Sequence, residues 1–118
     1  MKKKILIIDD QADCRELLRD VLSDDFQVFE AGNGQDGVDF LKQQRVDLII
    51  SDLKMPVQDG RDTILEVRHG FPNIKIIVIS GYEQDIQRMK LFKADRTFVK
   101  PFNVLEVLSE VRSLLGQS

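Results

Sequence analysis

Asp9 and Asp10, Asp52, Ser80 and Lys100 are the residues whose types and order could do chemistry together. Each follows a short apolar run: residues 5–8 precede Asp9-Asp10, residues 47–51 precede Asp52, residues 74–79 precede Ser80, and residues 97–99 precede Lys100-Pro101. Carboxylates brought together repel, by about 4 kcal/mol for one pair about 4 Å apart at an effective dielectric near 20, so three of them call for a cation. Hard oxygen ligands that leave room for water suit Mg2+, which is typically held by one or two carboxylates, several waters and a phosphate oxygen. An Asp of ordinary pKa, about 3.9, is ionised at pH 7 and can attack phosphorus without a general base, as in aspartyl-phosphate intermediates. Lys100 would neutralise one phosphoryl oxygen while the Ser80 hydroxyl donates to another, the positioning and charge stabilisation on which phosphoryl transfer mostly depends. Asp52 is the natural nucleophile, because it stands alone after its run while Asp9 and Asp10 can share the metal. No catalytic histidine is required, and His69, before Gly70, reads as a helix C-terminal residue.

These groups meet only if the intervening elements place the runs side by side. Five strands are predicted, at residues 5–8, 27–31, 47–51, 74–79 and 97–99, each rich in Val, Ile or Phe and bounded by Asp, Gly, Asn or Pro. Three of the runs are apolar on successive residues, which suits strands covered on both faces. Helices lie between them. Cys14, Leu17, Leu18, Val21 and Leu22 fall at i, i+3, i+4, i+7 and i+8, with Asp13 and Glu16 spaced as a cap and its partner. Asn103 and Glu106 open the last helix, whose stripe is Val104, Val107, Leu108, Val111 and Leu115. Less regular helical segments lie near residues 34–44, 61–69 and 84–92. Strict alternation implies one α/β domain over residues 1–118, a doubly wound five-stranded parallel sheet with helices on both faces. Ligands of such sheets bind beyond the carboxyl ends of the strands, where the five chemical groups stand.

With 118 residues, 42% hydrophobic and 31% charged, the chain is long enough for one self-standing core and too short for two. Its net charge of −3, with no dense basic cluster or aromatic stacking pattern, argues against direct nucleic-acid binding. The lysines at 2–4 followed by four apolar residues imitate a signal peptide, but the run stops at Asp9, and no stretch is long enough for membrane insertion. One cysteine cannot pair within the chain, and a cytoplasmic location is expected.

At these residues the chain resembles the receiver domain of two-component response regulators. The resemblance runs from Lys4 to about Leu115: Asp9-Asp10, Asp52 followed by Met55-Pro56 and Asp59-Gly60, Ser80-Gly81, and Lys100-Pro101-Phe102. Each piece is common, but all four in this order and spacing are highly specific. The resemblance implies a flavodoxin-like (βα)5 fold with strand order 2-1-3-4-5. It implies Mg2+ on Asp9, Asp10, Asp52 and the Lys54 carbonyl, with a phosphoryl group arriving on Asp52 from a sensor histidine kinase or histidine phosphotransfer protein. Ser80 would move toward the phosphate, and a downstream protein would read a population shift in the surface of the fourth helical segment, the fifth strand and the last helix. Met55, Pro56 and Gly60 would shape the loop beside Asp52, with Asp59 a helix cap, and a cis bond before Pro101 would aim Lys100. The domain would promote its own phosphorylation and dephosphorylation and would not be an enzyme acting on an external substrate.

The departures carry information too. Thr97 stands where many receivers have an inward-turning aromatic, with Phe98 beside it, so the usual aromatic switch is in question. Lys93 replaces a frequent Gly before Ala94, and Gly81 a frequent Ala. Lys54 and Tyr82 occupy the two positions that tune acyl-phosphate lifetime in the family. With Gln11 and Thr97, they look like single-domain receivers of the sporulation-relay type. In a chain of this length the signal is expected to leave as a phosphoryl group or through a surface that another protein reads.

Plainer readings exist for each residue. Asp9 and Asp10 could be a polar loop capping the first helix, Asp52 and Lys100 a structural ion pair, Pro101 a helix-start residue, and Ser80 a strand-end hydroxyl. Gly32-Asn33-Gly34-Gln35-Asp36-Gly37 spells a dinucleotide fingerprint, but it follows the second strand, while the first turn carries carboxylates that would repel a pyrophosphate. These glycines are expected to make the turn into the second helix. Cys14 belongs to an apolar stripe and reads as core. Two other functions compete: a small Mg2+-dependent aspartyl-phosphate phosphatase, disfavoured because Lys54 stands where dehalogenase-type enzymes place a second Asp, and an interaction-only module of receiver fold.

Overall fold

The computed structural model describes residues 2–53, 60–82, 87 and 94–116. They form β1 (Lys4–Ile8), α1 (Ala12–Leu22), β2 (Gln27–Ala31), α2 (Gly34–Gln43), β3 (Leu48–Asp52), α3 (Gly60–Gly70), β4 (Lys75–Ser80), β5 (Arg96–Val99) and α4 (Val104–Leu114). Lys54, Met55, Pro56, Asp59 and Lys93 lie outside the described residues, as does the helical segment expected near 84–92 apart from Gln87.

The five strands make one parallel sheet in the order β2-β1-β3-β4-β5, as the resemblance implied. Why the central strands are apolar on consecutive residues is plain from their two faces. Leu6, Ile8, Ile49, Ile76 and Val78 pack with Val38, Leu41, Ile64 and Val67 on the side of α2 and α3. Ile5, Ile7, Leu48, Ile50, Ile77 and Ile79 pack with Leu18, Leu22, Val107 and Val111 on the side of α1 and α4. Each such side chain withdrawn from water contributes roughly 1.5–3 kcal/mol. The edge strands β2 and β5 are covered less completely, and their sequences are correspondingly mixed.

Register sets the functional edge. Ile8 lies opposite both Ala31 and Ser51, Asp52 opposite Ile79, and Ser80 opposite Val99, so the strands end level with one another. Asp52 and Ser80 close their strands, whereas the sequence placed them one residue beyond.

Caps explain where the helices begin. Asn33 accepts from the Asp36 N–H at 2.8 Å to start α2, and Asn103 accepts from the Leu105 N–H at 2.9 Å to start α4. The cap expected at Asp13 is not made. Asp9 Oδ1 accepts from the Gln11 N–H at 2.8 Å and turns the chain early, so α1 begins at Ala12 with Gln11 as its uncapped N-cap. Asp13 instead sits in the first turn, where its charge complements the helix dipole. Gly37 has a packing reason. A Cβ there would lie 2.5 Å from Ile8 Cδ1, so only glycine lets α2 approach β1 this closely. His69 is exposed in the last turn of α3, as expected. Beside it, Arg68 Nη2 meets Asp95 Oδ2 at 3.2 Å, and the same oxygen accepts from the Ile76 N–H at 2.8 Å, tying the end of α3 to the starts of β4 and β5.

Candidate functional site

Asp9 leaves β1 nearly sealed from solvent, at 2% exposure, and the turn into α1 holds it from several sides. Its N–H donates to the Ala31 carbonyl at 3.1 Å, Oδ1 accepts from the Gln11 N–H, and the Arg15 guanidinium donates to its carbonyl oxygen at 2.6 Å. Asp10, the next residue, is exposed. Asp52 closes β3 at 6% exposure. One carboxylate oxygen from each of the three lies within 4.8 Å of the others.

Lys100 reaches into this cluster from the turn after β5. Its N–H donates to the Ser80 carbonyl at 2.7 Å, which fixes the backbone, and the Lys100–Pro101 peptide bond is cis. The ammonium stands 2.9 Å from Asp52 Oδ2 and 3.6 Å from Asp9 Oδ2, with Gln11 Oε1 at 3.4 Å. Ser80 is fully buried, and its Oγ accepts from the Tyr82 N–H at 3.1 Å. Tyr82 itself is exposed.

The electrostatics follow from burial and proximity. Burial pushes the Asp9 carboxyl above the ordinary range, its hydrogen bonds with the Gln11 N–H and the Cys14 thiol pull the other way, and the charge of Asp52 adds to the rise. Burial pulls the Lys100 ammonium down, but the hydrogen bond and charge of Asp52, with Asp9 behind it, outweigh that effect and leave its pKa raised. Cys14 is half-buried against the α1–α4 core, and its thiol is pushed up to about 12, first by burial and then by its bond with Asp9. It is a protonated packing group at physiological pH.

The structure thus brings together Asp9, Asp10, Asp52 and Lys100, with Ser80 ending the strand beside Asp52. Thr97 and Phe98 are separated from one another by the pleat of β5. Thr97 lies opposite Val78, a residue of the α2–α3 core, whereas Phe98 lies opposite Ile79 and packs against the α1–α4 core. An aromatic at 98 therefore cannot stand in for one at 97. Gly60 begins α3, and Lys54, Met55 and Pro56 are outside the described residues.

Sequence reasoning passed over Arg15. Its Nη1 holds the Asp9 carbonyl while its Nε meets Glu30 Oε1 at 3.2 Å, and Glu30 also accepts from Arg19 Nη1 at 2.8 Å. A basic residue in the first turns of the helix that follows the acidic pair was the available signal, but its target is a backbone oxygen, which no side-chain pattern reveals.

The chain matches the response regulator receiver domain over residues 5–112. It is 36% identical over 118 residues to the sporulation initiation phosphotransferase F of Bacillus subtilis, covering 98% of this chain and 95% of that one. It is 32% identical over 117 residues to the chemotaxis protein CheY of Halobacterium salinarum, covering 94% and 98%. The structure of the response regulator TrrA of Thermotoga maritima in complex with Mg2+-BeF superposes with a TM-score of 0.87 at 31% identity, covering 95% of this chain and 98% of that one. Matched over most of its length, with its acidic groups and lysine gathered at the carboxyl edge of a 2-1-3-4-5 sheet, the chain belongs to the response regulator receiver domain family.

Proposed function

We propose that Asp52 accepts a phosphoryl group from a phosphohistidine of a sensor histidine kinase or histidine phosphotransfer protein, and that the chain passes the signal to a partner by conformational shift or onward phosphotransfer. One observation carries this reading: Asp52 Oδ2 is held 2.9 Å from Lys100 Nζ within a cluster of three carboxylates. The family supplies the frame of phosphoacceptor signalling. The name of the sporulation phosphotransferase supports onward transfer in particular.

The donor set fits Mg2+. Oxygens bound to one octahedral Mg2+ at about 2.0–2.1 Å stand at most about 4.2 Å apart, so oxygens already within 4.8 Å need to close in only slightly. Asp9, Asp10 and Asp52 would hold the ion, with the backbone carbonyl of Lys54 the further ligand that the family resemblance implies, and that a response regulator of this fold is found in complex with Mg2+-BeF supports Mg2+ as the ion. When bound, the ion supplies positive charge to the carboxylates and the incoming phosphoryl oxygens.

The chain's own groups do the rest. A carboxylate oxygen of Asp52 forms a P–O bond as the P–N bond to the donor histidine breaks, and the electron pair leaves on the ring nitrogen. Lys100 turns its ammonium from the carboxylate to a phosphoryl oxygen, and the Ser80 hydroxyl donates to another. The product carries its label on the protein, so residues 1–118 act as one receiver domain and a phosphoacceptor rather than an enzyme with an external substrate. A cytoplasmic setting, where sensor kinases present their phosphohistidines, belongs to this reading.

Incubation with acetyl phosphate, followed by intact mass, tests it. One phosphoryl adduct is expected with Mg2+, none with EDTA, and none in Asp52→Asn. An adduct that persists in Asp52→Asn, or steady turnover of a phosphate ester without an adduct, would overturn it.

A further inference from the structure

The opposite edge of the sheet holds a cavity of about 580 Å3, far from the acidic cluster in the fold. It opens where β1, β3 and β4 begin and where α2, α3 and α4 end. Its apolar wall is mainly Phe71, which is partly buried, with only the edges of the core residues Val46, Ile74 and Leu115 reaching it. Its charges are lopsided. Lys3, Lys42, Arg45 and Lys75 border it, against one carboxylate, Asp47. Asp47 Oδ2 is already engaged, accepting from the Lys4 N–H at 2.8 Å.

The ordinary reason for cations at this edge is that three helix carboxyl ends converge there, each worth roughly half a negative charge. Lys3 serves one of those helix ends, and Arg68 serves the connection that follows α3. Lys3 Nζ donates to the Leu115 carbonyl at 3.0 Å, and Arg68 Nη1 donates to the Ile74 carbonyl at 3.1 Å and the Pro72 carbonyl at 3.4 Å. Lys42, Arg45 and Lys75 make no side-chain hydrogen bond or ion pair with any described residue. Three cations without a counter-charge among the described residues therefore border one cavity with an apolar wall, in a chain whose net charge is −3. The volume lies in the range, about 300–1,000 Å3, of small-molecule sites, which combine an apolar lining with a few convergent polar groups.

We propose that this cavity binds a soluble amphipathic organic anion, its flat apolar body against Phe71, Val46 and Ile74 and its acidic group between Lys42, Arg45 and Lys75. Nothing in phosphoryl transfer at Asp52 requires these residues, so the two claims stand or fall separately.

The fluorescent anion 1-anilinonaphthalene-8-sulfonate is a suitable probe. Saturable binding of one equivalent to the folded chain is expected. It should move amide resonances of residues 41–47 and 70–75, weaken in high salt, and weaken at least about tenfold in Lys42→Gln/Arg45→Gln/Lys75→Gln. The uncharged analogue N-phenyl-1-naphthylamine should bind more weakly than the anion. Labelling of the triple variant by acetyl phosphate should match that of the unaltered chain, which separates loss of the cavity from loss of the fold. Resonance changes centred on Asp9, Asp52 and Lys100, equal affinity in the triple variant, or no saturable binding would overturn the proposal. So would co-sedimentation with phosphatidylglycerol vesicles that displaces the dye, since the site would then be a membrane surface.

Discussion

Asp9 answers to two opposed demands. Its burial favours the protonated acid, yet the Mg2+ ligand proposed for this position must be ionised. A carboxyl whose pKa is raised on folding binds its proton more tightly in the folded state. It therefore costs stability as pH rises from its ordinary value, 3.8, through the raised one, and that cost persists at neutral pH. Asp9→Asn keeps an acceptor for the Gln11 N–H and removes the buried charge. We predict a gain of a few degrees in Tm at pH 7 that disappears toward pH 4, measured by thermal melts across pH. The same variant should lose the stabilisation by Mg2+, which at a hundredfold excess over Kd amounts to about 2.7 kcal/mol in the unaltered chain. Lys100→Gln should slow labelling by acetyl phosphate by roughly 10²–10³, the scale of removing one preorganised donor to a developing charge. Thr97→Ala should leave labelling nearly intact, because Thr97 lies on β5, across from Val78, rather than in the carboxylate cluster. Asp9, Asp52, Ser80 and Lys100 were legible because each directly follows or closes an apolar run, and Asp10 because it doubles the first of them. Arg15 was not, because its partner is the carbonyl of Asp9, and Phe98 was paired with Thr97 before the pleat separated them.

At the scale of elements, the positions of the strands were legible because apolar runs of three to six residues between turn formers have few alternatives. Their exact ends were not, since whether Asp52 belongs to β3 depends on its pairing with Ile79 in the neighbouring strand. The start of α1 escaped for a related reason. Both Asp9 and Asp13 are competent to cap or turn a chain, and only the position of β1 decides between them. Gly37 looked like part of a nucleotide fingerprint and proves to be a spacer between α2 and β1. Gly37→Ala gains helix propensity of up to about 1 kcal/mol but forces a methyl against Ile8, which is wholly buried. A net loss of about 1–3 kcal/mol is expected from denaturant unfolding. Ile8→Val removes the offending Cδ1 and should recover part of that loss in the double variant, giving a favourable coupling; simple additivity would show that the close approach is not the cause.

For the molecule as a whole, alternation of strand and helix sufficed for a parallel α/β sheet, but the strand order came only through the resemblance, because alternation alone permits several orders. Once the order is 2-1-3-4-5 and the strands end level, one edge gathers Asp9, Asp10, Asp52 and Lys100, and the opposite edge gathers helix ends and cations with no partner among the described residues. No described helix is long and apolar enough to cross a membrane. The most direct measurement of the central claim uses phosphoramidate, a donor whose P–N bond imitates that of phosphohistidine, followed by peptide mapping of the labelled chain. With Mg2+ present, the phosphoryl group is expected on Asp52 alone. Label on any other residue, or equal labelling in the presence of EDTA, would contradict Asp52 as the Mg2+-dependent acceptor.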